Sequence, residues 1–109
     1  MIRLRKVDGG FSIRTDDDER EVGRVSIEGS RIGWEIYNLA DRGLGLARLA
    51  LLGVLPLVSA PLFACILPMN IPSRRLALRT GFRRDCSDPH AHRSKDGDGW
   101  SYITYKWSG

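Results

Sequence analysis

Apolar and polar residues alternate with a period of two through most of the first third of the chain. Ile2 and Leu4 oppose Arg3 and Arg5, Phe11 and Ile13 flank Ser12, Val25 and Ile27 flank Ser26, and Gly33 and Glu35 separate Ile32, Trp34 and Ile36. Successive strand side chains point to opposite faces, so the alternation predicts strands with one apolar and one charged face. Turn-forming residues separate them: Asp8-Gly9-Gly10, the acidic stretch Asp16 to Glu21, and Glu28-Gly29-Ser30. The expected product is a four-stranded antiparallel meander over residues 2–7, 11–15, 22–28 and 31–37, whose apolar face needs a cover.

The alternation then gives way to a long apolar run. Between Arg48 and Arg74 lie 25 uncharged residues, and 16 of the 21 from Leu49 to Met69 are Leu, Val, Ile, Ala, Phe, Cys or Met. As one helix those residues would measure about 31 Å, close to the hydrocarbon thickness of a bilayer. A helix apolar on every side would need complete burial, which a domain this small supplies poorly. The run is therefore expected to be a membrane segment. Forty-two patterned residues precede it, which argues against a cleaved signal peptide. Pro56, Pro61 and Pro68 interrupt it, each removing a backbone donor and crowding the carbonyl four residues earlier. Two geometries follow, a single kinked span, which is favoured, and a re-entrant hairpin turning near Pro56–Pro61. Both need protein cover for the freed carbonyls.

After the run, RRLALRTGFRR alternates slightly better as a strand than as a helix. A turn-rich stretch from Asp85 to Gly99 leads to WSYITYKW, whose aromatic density is strand-like. The chain thus divides into a β-rich extramembrane domain (1–42), a membrane-embedded segment (43–72) and an Arg-rich flank with an aromatic C-terminal strand (73–109).

Charge sharpens this division. The formal net charge of +4 is distributed as −1, +1 and +4 over those three parts. Arg74, Arg75, Arg79, Arg83 and Arg84 cluster beyond Met69, so a single span would place the C-terminus in the cytoplasm. With Arg48, these residues read as a basic flank against anionic lipid headgroups, which explains them more simply than nucleic-acid contact. Trp100, Tyr102, Tyr105 and Trp107 read as an aromatic anchor. With only 109 residues and two cysteines, the chain excludes a large catalytic barrel and a disulfide-stapled scaffold.

Candidate chemistry is sparse. Cys86, His90 and His92 form a C-x3-H-x-H cluster whose thiolate and imidazole groups suit zinc, another soft metal or haem, yet no second knuckle exists. Asp96 and Asp98 resemble part of a calcium loop, but Ser94 and Tyr105 occupy positions where that loop wants acidic ligands. Asp16 to Glu19 reads as a solvated acidic tip, and Cys65 as a small buried hydrophobe. No nucleophile elbow, phosphate-binding glycine loop or metalloprotease motif is evident, so no enzyme is expected.

The reading that follows is a non-enzymatic integral membrane accessory or assembly subunit. It would pack on partner subunits through Gly53, Pro56, Ala60, Pro61, Ala64 and Pro68, where small residues allow close approach. The alternatives are a membrane-anchored metal or haem binder using Cys86, His90 and His92, and a basic protein of a ribonucleoprotein particle whose partners bury the apolar run.

Overall fold

A computed structural model describes residues 2–16, 20–38, 41–43, 45–85 and 102–109. Four strands come first: β1 (Ile2–Val7), β2 (Gly10–Thr15), β3 (Glu21–Glu28) and β4 (Arg31–Ile36). They pair as consecutive antiparallel neighbours, with Leu4 opposite Ile13, Phe11 opposite Val25, and Val25 opposite Trp34. This register gathers Leu4, Phe11, Ile13, Val25, Ile32, Trp34 and Ile36 on one face. Arg5, Ser12, Arg24 and Glu35 share a row on the other.

The apolar run is not one element. Residues Leu46–Val54 form a helix, α1, followed by a 3-10 turn at Leu55–Leu57 and then a strand, β5 (Leu62–Ile66). A second helix, α2 (Ile71–Arg79), begins where the run ends, and β6 (Arg83–Arg84) and β7 (Ile103–Trp107) complete the chain. Prolines mark the joints: Pro56 sits at the start of the 3-10 turn, and Pro61 precedes β5 through a cis Ala60–Pro61 peptide. Pro72 lies in the first turn of α2, which Asn70 caps by accepting a hydrogen bond from the Ser73 amide at 3.3 Å.

The strands form a sheet of seven among the described residues, in the order β1-β2-β3-β4-β5-β7-β6. β5 lies between β4 and β7, parallel to the first and antiparallel to the second. Of β5, Leu62, Ala64 and Ile66 are buried on the helical face while Phe63 is half-buried and Cys65 exposed on the other, so a run apolar on both faces in sequence is a strand with one buried face. α1 packs on the apolar face of the meander through Ala50, Leu51 and Val54, all fully buried. Its Gly53 comes close to the Leu4 side chain. The meander thus receives its cover from this chain's own helix.

Several expectations are thereby corrected. At about 1.5 Å per residue, the nine residues of α1 reach about 14 Å, less than half the hydrocarbon core. Among the described residues no helix is long and apolar enough to cross a membrane. The integral-membrane fold, whether span or hairpin, falls with it, as do the cytoplasmic C-terminus and the proposed membrane, subunit and headgroup partners. The run looked like a span because an amphipathic helix and a central strand are adjacent in sequence. Its outward residues, Leu49, Leu52, Leu57 and Met69, are simply left exposed, as many apolar side chains on folded proteins are. The ribonucleoprotein alternative also needed partners to bury the run, and the chain itself buries the run's inward side through Ala50, Leu51, Val54, Leu55, Leu62, Ala64 and Ile66. RRLALR belongs to a helix rather than a strand, because the Asn70 cap and Pro72 start one there.

Candidate functional site

The sheet is incomplete at its centre. β4 and β5 are joined at a single parallel pair, Arg31 with Phe63, where the Phe63 amide donates to the Ser30 carbonyl at 2.7 Å. Beyond that pair the strands part. Antiparallel pairing turns alternate backbone groups toward each neighbour. The Tyr37 amide donates to Val22 of the β3 segment, so the amides of Ile36 and Trp34 are turned the other way, into the opening.

Two grooves meet there. The larger, of about 430 Å³, runs between α1 and α2 past Trp34, Ile36, Arg42, Gly43, Ala47 and Ser73. The smaller, of about 220 Å³, occupies the opening itself, walled by Ile32, Gly33, Trp34, Cys65, Leu67 and Tyr102. Trp34, Asn70 and Ser73 line both. The Trp34 ring stands edge-on to Phe82 at 6.0 Å, and its indole N–H donates to Ser73 Oγ at 3.3 Å. That contact fixes the hydroxyl where the grooves join.

The start of α1 lies along the larger groove. Gly43 and Gly45 have φ of 83° and 76°, a left-handed conformation that glycine adopts without strain. Gly45 is the N-cap, no side chain caps the helix, and its first turn carries no acidic residue. The orphan amides and the positive end of the helix dipole therefore suit an anionic group. Arg42 adds charge beside them, its Nε held by the Ile36 carbonyl at 3.0 Å. Next to it, Asp41 is clamped by Arg20 through contacts of 3.1 and 3.4 Å.

The residues singled out from the sequence are scattered about this site. Cys86, His90, His92 and Trp100 lie outside the described residues, among which no His/Cys/Asp/Glu group could hold a metal. Arg48 is exposed on α1, and Arg75 and Arg79 are exposed on α2. Arg74 donates to the Tyr105 hydroxyl at 3.1 Å and to the Pro68 carbonyl at 3.0 Å, pinning α2 to β7 and to the turn before it. Arg83 and Arg84 form β6, while Tyr105 and Trp107 lie on β7. Gly53, Pro56, Ala60 and Pro61 are exposed, and Ala64 is buried in β5. Cys65 is exposed rather than buried, 3.7 Å from Thr104 Oγ1. Trp34, Gly43, Gly45, Asn70 and Ser73 were missed. The available signal is two glycines, Gly43 and Gly45, just before an apolar helical stretch, and the length of the apolar run that follows hides it.

No protein-family model matches the sequence, and no curated protein matches it. Solved structures do. One described as a GNAT-family acetyltransferase from Bordetella pertussis superposes with a TM-score of 0.73 at 20% identity, over 90% of this chain and 64% of that one. The acetyltransferase (GNAT family) from Bacillus anthracis gives 0.71 at 21%, over 92% and 66%. The fold is that of the GNAT acetyltransferases. AAC(6')-Ib, solved in complex with Parmomycin and acetyl-CoA, gives 0.63 at 11%, over 92% of this chain and 65% of that one. The chain spans less than two thirds of each of these proteins. This architecture, shared with structures described as acetyltransferases, corrects the expectation of an integral membrane subunit and removes the membrane anchor from the metal or haem reading, whose Cys86, His90 and His92 lie outside the described residues.

Proposed function

We propose that the chain transfers an acetyl group from acetyl-CoA to an amine. The observation that carries this reading is the opening between β4 and β5, with the glycine-flanked start of α1 beside it. A thioester needs such a gap to reach strand-edge amides, and its phosphate-bearing tail needs an anion site along the same groove. The bound acetyl-CoA of AAC(6')-Ib supports the same donor.

Acetyl-CoA as substrate would bring a carbonyl already activated by sulfur. The chain contributes the surroundings. Orphan amides at the start of α1, with Arg42, hold phosphate oxygens. The Trp34 and Ile36 amides, turned into the opening, donate to the carbonyl oxygen as it gains negative charge. Transfer forms a C–N bond and breaks the C–S bond, and the proton lost by the amine ends on the departing sulfur. Ser73 Oγ accepts from the Trp34 indole, so its own hydrogen is the one available to that sulfur.

Calorimetry with acetyl-CoA and thiol-release assays with primary amines test the reading. Binding together with amine-dependent thiol release supports it, and the absence of both refutes it.

A further inference from the structure

Two glycines interior to the central strands differ in what they explain. At Gly23 an added Cβ would lie 2.1 Å from the Glu35 carbonyl oxygen, so close packing accounts for the glycine. At Gly33 an added Cβ would meet nothing within 4 Å, and Gly33 is not among the positive-φ glycines. Neither crowding nor backbone conformation requires glycine there, although glycine weakens a strand interior. Close approach of a ligand is one reason a strand keeps a glycine, and Gly33 lines the smaller groove.

Register gives the direction of approach. Gly33 pairs with Ser26 and Cys65 pairs with Thr104, which places both on the charged face, away from the helices. Trp34, Asn70 and Ser73 line the same groove from the helical side. The opening is thus walled from both faces of the sheet, and Gly33 forms its lip on the charged side. Its volume, about 220 Å³, lies below the roughly 300 Å³ at which pockets for drug-sized ligands begin. A side chain at position 33 would therefore take a substantial share of it. Ile32, Ile66 and Trp34 wall the opening from the helical side, so on the charged side its breadth is set at Gly33 and Cys65.

We propose that Gly33 determines acceptor specificity: by carrying no side chain it admits, from the charged face, a primary amine on a carrier as broad as an aromatic ring. The inference rests on the acetyl-transfer reading and adds the acceptor class to it.

The test uses the full chain, acetyl-CoA, and two amines of different breadth, benzylamine and n-propylamine. The wild-type chain turns over benzylamine with the higher kcat/KM. Gly33→Ala lowers the benzylamine-to-propylamine ratio about tenfold, the scale of one methyl group in a substrate pocket. Gly33→Val abolishes benzylamine turnover. Ser26→Val, across the strand pair on the same face and outside both grooves, leaves the ratio unchanged. Thermal midpoints of the Gly33 variants at or above wild type separate this effect from misfolding, because both residues favour a strand more than glycine does. An unchanged ratio in folded Gly33→Val overturns the proposal. Acetyl-CoA binding with transfer to propylamine alone also overturns it while leaving the acetyl-transfer reading intact, whereas failure to bind acetyl-CoA removes both.

Discussion

Replacing Leu51 with alanine probes whether the apolar run is a core-facing helix. Leu51 is 0% exposed on α1, whereas its neighbour Leu52 is 48% exposed. Truncating a buried leucine costs about 2.7–5.0 kcal/mol, because the transfer term is joined by a cavity that closes only in part. At Leu52 about half of the side chain already faces outward, and alanine is a slightly better helix former, so the net cost is within about 1 kcal/mol. A domain of this size has roughly 5–15 kcal/mol of stability in all. Leu51→Ala therefore removes a large share and Leu52→Ala a minor one. With a urea dependence of roughly 1–3 kcal/mol per molar, the Leu51→Ala midpoint falls by more than about 1 M, and Leu52→Ala shifts it by a few tenths. Urea titration in detergent-free buffer, followed by tryptophan fluorescence, reads both, since Trp34 sits in the interface of the sheet with Phe82 and Ser73. Equal shifts, or a larger one at Leu52, would refute the assignment of the buried face.

Three further outcomes are expected. Gly23→Ala drives a methyl group against the Glu35 carbonyl and lowers stability by about 1–3 kcal/mol, visible as a lower thermal midpoint; a neutral result would contradict the β3–β4 spacing. Gly45→Ala meets no steric neighbour but forces alanine into a left-handed φ of 76°, costing about 1–2 kcal/mol and weakening acetyl-CoA binding in calorimetry. Retained affinity in Gly45→Ala would count against an anion site at the start of α1. Ser73→Ala removes the hydroxyl bonded to the Trp34 indole and lowers kcat about a hundredfold with a much smaller change in KM for acetyl-CoA, so an equal kcat would exclude Ser73 from proton transfer.

Local pattern alone located much of the secondary structure. The period-two stretches and their glycine turns correspond to β1 through β4, and the aromatic ITYKW segment is β7. Those signals are legible because a strand with one buried and one charged face writes its geometry directly into the order of residues. The site was not legible, since its parts come from β4, the turn before α1, and α2. Trp34 and Ser73 are 39 positions apart yet share a hydrogen bond. No spacing rule links an indole on a strand to a hydroxyl in the first turn of a later helix.

The prolines, glycines and alternating residues of the sequence determined where elements start and stop. Pro56, Pro61 and Pro72 mark the breaks between α1, β5 and α2 because proline removes a donor wherever it stands. What the apolar run packs against was decided only in three dimensions. A central strand and the inner face of a helix need the same residues as a lipid-facing segment, because in each case the requirement is escape from water. Insertion of β5 between β4 and β7 supplied that escape within the chain. The same insertion, joined to β4 by one pair only, left the opening in which the candidate site lies.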